Sequence, residues 1–471
     1  MSRSCLLASL LATICCLIAA GSAPARDKPN VLFIAVDDLN HWVGYLGRNQ
    51  QTATPNIDRL AARGVAFTRA YCAAPSCTPS RAALMSGLRP STTGIYDNND
   101  TAWPDAIPPD KCIPAQFRAG GYLTMAAGKI YHGGPGRPGE FEQTFPYEGG
   151  NPNFPPGATG GPKGDAGGVG GIRFAPLDCD DRDLQDYRVV DWCIEQLGKS
   201  HDDKPFFLAC GLYKPHMPWF VPRKWFDKFP LDSIQLPPSP ADDLSDVPPA
   251  GVKMAKPGGD HARILASGRW KEAVQGYLAA VAYTDMNLGR LLDALDKSPH
   301  RDNTIIVFWG DHGWHLGEKQ HWRKFALWEE ATRVPFIWVA PGVTTPKQVC
   351  DRPVDLMSIY PTLTDLCGLP TPAHVEGKSI RPLLKDPTFA WETPALTTYQ
   401  FNNHAVRSGK WRYVRYADGG EELYDHAADP LEHVNLAAKT EQAARKQELA
   451  KWIPSRNAPD VGRRRGTVEV E

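Results

Sequence analysis

Near-continuous apolar runs of strand length recur along the 471-residue chain, separated by stretches of helical period. Val31 to Val36, Leu123 to Ala127, Phe206 to Leu212, Thr304 to Trp309 and Val334 to Val339 are the predicted strands. Between them, Ile57 to Ala62, Ile113 to Ala119, Leu184 to Leu197, Val274 to Asp296 and Leu356 to Cys367 read as helices. Strands alternating with helices predict an α/β fold with a largely parallel central sheet flanked by helices. Two stretches, Gly133 to Gly171 and Pro237 to Asp260, read as long loops, which are usually functional or mobile. The chain shows no internal repeat.

The pattern changes after about residue 380. Ala405 to Tyr416, then Gly419-Gly420, then Glu422 to Tyr424 reads as a hairpin, predicting a smaller C-terminal subdomain with an antiparallel sheet. The expected division is a leader over 1–25, a main domain over 26–380, a subdomain over 381–455 and a disordered tail over 456–471. Arg3, the apolar run Leu6 to Ala20 and the small residues Ala23-Pro24-Ala25 mark the leader as a secretory signal. That run is short for a membrane span, and no second run reaches spanning length. The expectation is an exported protein, periplasmic or secreted, with no membrane attachment after cleavage.

A formal net charge of -1 gives no electrostatic reason to expect nucleic acid. Trp and Tyr are plentiful, which suits a sugar-facing surface, although core packing accounts for most of them. Eight cysteines remain after the leader, with no Cys-x-x-Cys pair to suggest zinc. The single sequon, at Asn99, favours a bacterial exported protein over a glycosylated lysosomal one.

The densest chemistry lies in Cys77-Thr78-Pro79-Ser80-Arg81, with Ala82 to Met85 behind it as the opening of a helix. A thiol there faces the positive end of a helix dipole. Four predicted strands also end in reactive groups, where α/β folds gather ligand chemistry. The first runs into Asp37-Asp38, and adjacent carboxylates repel unless a cation sits between them. The others deliver Lys129 and His132, Lys214-Pro215-His216, and Asp311-His312. Each alone has a bland reading as a cap or loop residue. Their joint occurrence at strand ends raises the chemical one.

The segment around Cys77 resembles the Cys-x-Pro-Ser-Arg motif of the sulfatases, an alkaline-phosphatase-like family. The resemblance extends through Thr54-Pro55-Asn56-Ile57-Asp58-Arg59-Leu60, Gly128-Lys129, Lys214-Pro215-His216, Asp311-His312-Gly313, Lys324 and Leu423-Tyr424-Asp425. Within the family, Asp97, Gly128-Lys129-Ile130-Tyr131-His132 and Asp311 to Glu318 are most similar to the iduronate-2-sulfatase subgroup. The departures lie in loops, notably 133–171, which shape a sugar pocket.

The resemblance implies that a formylglycine-generating enzyme oxidises Cys77 to formylglycine, whose hydrated aldehyde is the nucleophile. It implies one divalent cation held by Asp37, Asp38, Asp311, His312 and the modified residue 77. Three carboxylates favour a hard cation, calcium first and magnesium second, though a His312 nitrogen is less typical for calcium. Arg81 and Lys129 would hold the formylglycine hydroxyls, and His132 would act on the second hydroxyl to release sulfate. His216 and Lys324 would serve the leaving oxygen. Trp314, His315 and His321 are candidates for sugar contacts. The expected partner is a sulfated sugar or polysaccharide. Two alternatives stay open: a phosphonate or phosphate ester hydrolase of the same superfamily, and an unmodified carbohydrate-binding homologue.

Overall fold

Adjacent residues of the strand Asn30–Val36 (β1) serve two different cores. Leu32, Ile34 and Val36 belong to one buried cluster, and Val31, Phe33 and Ala35 to the other. This follows from the two-residue period of a strand covered on both faces, and it explains the uninterrupted apolar run. The computed structural model describes residues 28–98, 103–146, 154, 161–201 and 204–462. The predicted leader, the Asn99 sequon and the end of the predicted tail lie outside the described residues.

Eight further strands complete the central sheet among the described residues: Val65–Tyr71 (β2), Leu123–Gly128 (β3), Gln143–Thr144 (β4), Phe206–Leu212 (β5), Thr304–Gly310 (β6), Arg333–Val339 (β7), Gln348–Cys350 (β8) and Val354–Asp355 (β9). Their order is β8-β2-β7-β6-β1-β5-β3-β4, with β9 also paired to β2. The central four, β6, β1, β5 and β3, run parallel, as expected. β7 runs antiparallel to both β6 and β2, so the sheet is mixed but mostly parallel.

One face carries Pro55–Ala61 (α1), Gln185–Leu197 (α4) and Trp270–Lys297 (α5); the other carries Cys77–Ser86 (α2), Ile113–Ala119 (α3) and Ile359–Leu366 (α6). Each fully buried side chain such as Leu60, Phe117 or Leu363 stabilises the packing by about 1.5–3 kcal/mol. The helix α5 starts four residues before the apolar period suggests. The two predicted loops are not featureless: Pro249–Ala255 is a helix, and Gly168–Val169 pairs with Ile172–Leu177, which pairs with Trp219–Pro222.

The C-terminal sheet has four antiparallel strands, Ala395–Thr398 (β10), His404–Ser408 (β11), Trp411–Arg415 (β12) and Glu421–Asp425 (β13). The segment Ala405 to Tyr416 is therefore itself a hairpin. It turns at Gly409, whose φ of 54° suits glycine. This sheet joins the main core through backbone bonds: Thr398 N–H donates to Ala73 O at 2.9 Å. At the start of the expected tail, Ala458 N–H donates to Ser91 O at 2.7 Å and Val461 N–H to Gly94 O at 3.0 Å. Among the described residues, no helix is long and apolar enough to cross a membrane.

Candidate active site

The parallel pairing continues one residue past the strands and aims three side chains at one point. Asp37 N–H donates to Leu212 O at 3.1 Å, Asp311 N–H to Val36 O at 3.1 Å, and Lys129 N–H to Gly211 O at 3.0 Å. The last approach requires glycines: a Cβ on Gly128 would stand 1.9 Å from Gly211 O, and one on Gly211 would stand 2.3 Å from Lys129 O. Asp38 turns back with φ 57°, and its N–H donates to Asp311 Oδ1 at 3.0 Å.

Helix α2 presents Cys77 to these groups from its first turn, and all ten of its residues are buried. Cys77 Sγ lies 3.0 Å from Lys324 Nζ, 3.2 Å from His312 Nε2, 3.4 Å from Asp37 Oδ1 and 3.7 Å from Lys129 Nζ. The helix start is capped from a distance. Asn98 Oδ1 accepts Thr78 N–H at 2.9 Å and Ser76 O–H at 2.7 Å. Nothing in the sequence marks Asn98, because its partners stand about twenty residues away. Ser80, which donates to Asp311 O at 2.6 Å, is the other functional residue the motif alone does not explain.

Arg81 is fully engaged. Its Nε donates to Asp311 Oδ2 at 2.8 Å, Nη2 to Asp37 Oδ1 at 3.3 Å, and Nη1 to the carbonyls of Lys129 and Ile130 at 2.5 and 3.1 Å. The guanidinium thus fixes two acidic residues and the main chain that leads to Lys129. Lys129 Nζ donates to Asp37 Oδ2 at 2.5 Å, and Lys324 Nζ to Asp38 Oδ1 at 2.9 Å. Burial opposes the charge on Asp37, but Lys129, His216, Arg81 and Lys324 more than offset it and hold the carboxyl well below its usual range. Burial likewise opposes the charge on Lys324, yet Asp38 and its neighbours raise it, so this lysine stays an ammonium. Burial and the nearby lysine keep His312 neutral against the pull of Asp311.

Three carboxylates face three cations, so the buried cluster is balanced. A divalent cation would leave it with two positive charges, which suits an anionic ester. The donors fit such an ion. Ligand atoms of Asp37, Cys77, Asp311 and His312 all lie within 4.8 Å of one another. Asp38 Oδ2 is buried with no hydrogen-bond partner, a costly state for a carboxylate oxygen without an ion. His312 Nδ1 lies 3.0 Å from Gly313 O, which fixes the proton there and points the Nε2 lone pair inward.

At the mouth, His216 Nε2 stands 3.9 Å from Asp38 Oδ2 and 4.0 Å from Asp37 Oδ2, with its side chain 30% exposed. Its Nδ1 lies 2.5 Å from Met217 O. His132 is exposed as a residue, and its imidazole is near enough to Lys129 and His216 to feel their charges. Lys214 turns aside, with Nζ donating to Pro218 O at 2.5 Å, and supports the loop that carries His216.

Trp314, His315 and His321 lie deeper than a sugar contact requires. All three are buried. Trp314 packs on Trp219, with ring centroids 5.8 Å apart, and lies under Lys324 Nζ at 5.7 Å. His315 Nδ1 reaches Glu318 O, and its ring packs on His321 and Trp328. His321 reaches Ala255 O at 2.8 Å through Nδ1 and Lys324 O at 2.6 Å through Nε2.

The sulfatase family model matches residues 29–369, which spans every group just described. The chain belongs to the sulfatase family. A second model, for the C-terminal part of N-sulphoglucosamine sulphohydrolase, matches residues 317–458 of this sulfatase. The sulfatase is 43% identical to a sulfatase of Formosa agariphila, over 92% of this chain and 87% of that protein. It is 32% identical to iduronate 2-sulfatase of Mus musculus, over 77% of this chain and 73% of that protein. Its fold resembles the phosphonate monoester hydrolase of Agrobacterium radiobacter with a TM-score of 0.74 at 23% identity, covering 90% of this chain and 94% of the other. The protein is thus a sulfuric ester hydrolase, with Cys77 inside a buried acidic cluster.

Proposed function

We propose that this sulfatase is exported and removes the 2-O-sulfate of an iduronate-type sugar in a polysaccharide. The carrying observation is the ring of Lys324, His312, Asp37 and Lys129 around Cys77 Sγ. The 32% identity to a mammalian iduronate 2-sulfatase supports the sugar.

Formylglycine at residue 77 would supply a geminal diol as nucleophile, and a calcium or magnesium ion would polarise a sulfate oxygen. Asp37, Asp38, Asp311 and His312 would hold the cation. Arg81 keeps Asp37 and Asp311 aligned. Lys129 Nζ and Lys324 Nζ flank residue 77 and would orient its oxygens as charged donors. Lys324 stays an ammonium and stabilises charge on the leaving oxygen without giving up its proton. His216, donating through Nδ1 to Met217 O, can carry a second proton on Nε2 toward the leaving alcohol. His132, which feels the charges of Lys129 and Asp37, would take a proton from the second hydroxyl.

The test is turnover of a 2-O-sulfated uronate disaccharide against its 6-O-sulfated isomer and against a phosphonate ester with the same activated leaving group. Preference for the 2-O-sulfate by at least about tenfold is expected. Equal rates on the sugar isomers would overturn the sugar assignment. A faster phosphonate reaction would favour a phosphonate ester hydrolase.

A further inference from the structure

The quartet around residue 77 contains a sulfur. Asp37, Cys77, Asp311 and His312 offer two carboxylate oxygens, a thiol and an imidazole, all fully buried and within 4.8 Å of one another. We propose that, while residue 77 is still a cysteine, this pocket is a tight site for a borderline-soft divalent ion of the zinc class. Where residue 77 carries an aldehyde in place of the thiol, the pocket would favour hard cations instead.

The geometry fits a four-coordinate ion. Across a tetrahedral zinc, a sulfur and a nitrogen or oxygen ligand stand about 3.5 Å apart. Cys77 Sγ stands 3.2 Å from His312 Nε2 and 3.4 Å from Asp37 Oδ1. The Nε2 lone pair already faces the sulfur, because the other ring nitrogen is committed to Gly313 O. Arg81 on Asp311 Oδ2 does not block it, since a carboxylate oxygen carries two lone pairs. Binding replaces the S–H bond with an S–metal bond and releases one proton to solvent. Lys324 Nζ lies 3.0 Å from the same sulfur.

Thiolate and imidazole together select zinc over calcium, whereas a set of oxygens with a single nitrogen does not. A second triad, Glu329, His426 and Glu432, also gathers ligand atoms. Its groups are already spent on each other and on Arg412, with Glu432 Oε1 2.5 Å from Arg412 Nε and 2.8 Å from His426 Nε2. It needs no ion. The Cys77 set overlaps another, Asp37, Asp38, Cys77 and His216, so the test must separate the two histidines.

The experiment titrates cobalt(II) into the full chain made in a host without the modifying enzyme. One equivalent should give a near-ultraviolet thiolate-to-cobalt band, displaced by zinc and not by excess calcium. The band should vanish in Cys77→Ser, in His312→Ala and in the chain modified at residue 77, but persist in His216→Ala. Zinc affinity should fall more than about 100-fold in Cys77→Ser, because even loss of an outer-shell partner costs about 10–100-fold. The modified chain controls for misfolding of the variants, since it carries no substitution. A missing band, a band that survives Cys77→Ser, or displacement by calcium would overturn the proposal. This outcome is independent of which ester the modified enzyme cleaves.

Discussion

The ammonium of Lys324 lies 3.0 Å from the sulfur of Cys77, across 247 residues of sequence. The loop that brings it there is bent against its own preferences. Lys319, Gln320, Arg323 and Phe325 all have positive φ, at 56°, 50°, 76° and 73°. Such conformations cost non-glycine residues on the order of 1 kcal/mol or more each and persist only where surroundings hold them. The C-terminal subdomain does part of the holding. Arg412 Nη1 donates to Leu327 O at 2.9 Å, and Glu422 Oε2 accepts Trp328 Nε1–H at 2.7 Å.

Lys324 and His216 should matter most where the leaving alcohol is poor. Lys324→Ala and His216→Ala are expected to lower kcat/KM on sugar sulfates by about 10²–10⁴, and on activated aryl sulfates by much less. Rates across aryl sulfates of graded leaving-group pKa check this. Equal losses throughout the series would remove the leaving-group role.

His321 contacts the carbonyl of Lys324 at 2.6 Å, so any effect on turnover should run through that lysine. His321→Leu should cost on the order of 10- to 100-fold in kcat in the wild-type background, as expected for a small misplacement of a catalytic group. In a Lys324→Ala background the further loss should stay below about twofold. A double-mutant cycle with matched folding controls reads this. Additive losses would mean His321 contributes independently of Lys324.

Arg81 carries structure as well as chemistry. Arg81→Met leaves Asp37 and Asp311 buried without their shared partner and should destabilise the metal-free protein by about 3–5 kcal/mol. Urea unfolding measures it. Added calcium should recover part of the loss, because the ion pairs with the same carboxylates.

Glu318 should impose a pH slope on stability. Burial, then the neighbouring Glu330 carboxylate, push its carboxyl up to about 8. The folded state therefore holds this proton more tightly than the unfolded chain, whose Glu titrates at about 4.3. Its contribution is complete below the unfolded value and is lost as pH rises through about 8. Urea midpoints at pH 6 and pH 9 should fall more for the wild type than for Glu318→Gln. Parallel falls would place the slope elsewhere.

Much of this site was legible in the sequence because strands buried on both faces read as apolar runs. Their last residues then name the chemistry: Asp37 after Val36, Asp311 after Gly310, Lys129 after Gly128. Directions were less legible. β7 runs antiparallel to its neighbours, yet a doubly buried strand looks the same read either way. β2 was hidden because Thr68 and Arg69 interrupt its apolar run. Trp314, His315 and His321 stood close in sequence to Asp311 and Lys324, but adjacency does not set depth. His321 turns toward two backbone carbonyls, and such partners leave no mark in a sequence. Asn98 escaped for the same reason, since it caps α2 through groups remote in sequence.

We propose that residue 77 works as an aldehyde inside this ring of charges. The direct measurement is a mass spectrum of the tryptic peptide Ala70–Arg81 from the active enzyme of its native host, with and without an aldehyde-reactive probe. The expected residue at position 77 is lighter than cysteine and is captured by the probe. An intact thiol in protein that hydrolyses sulfate esters would contradict it.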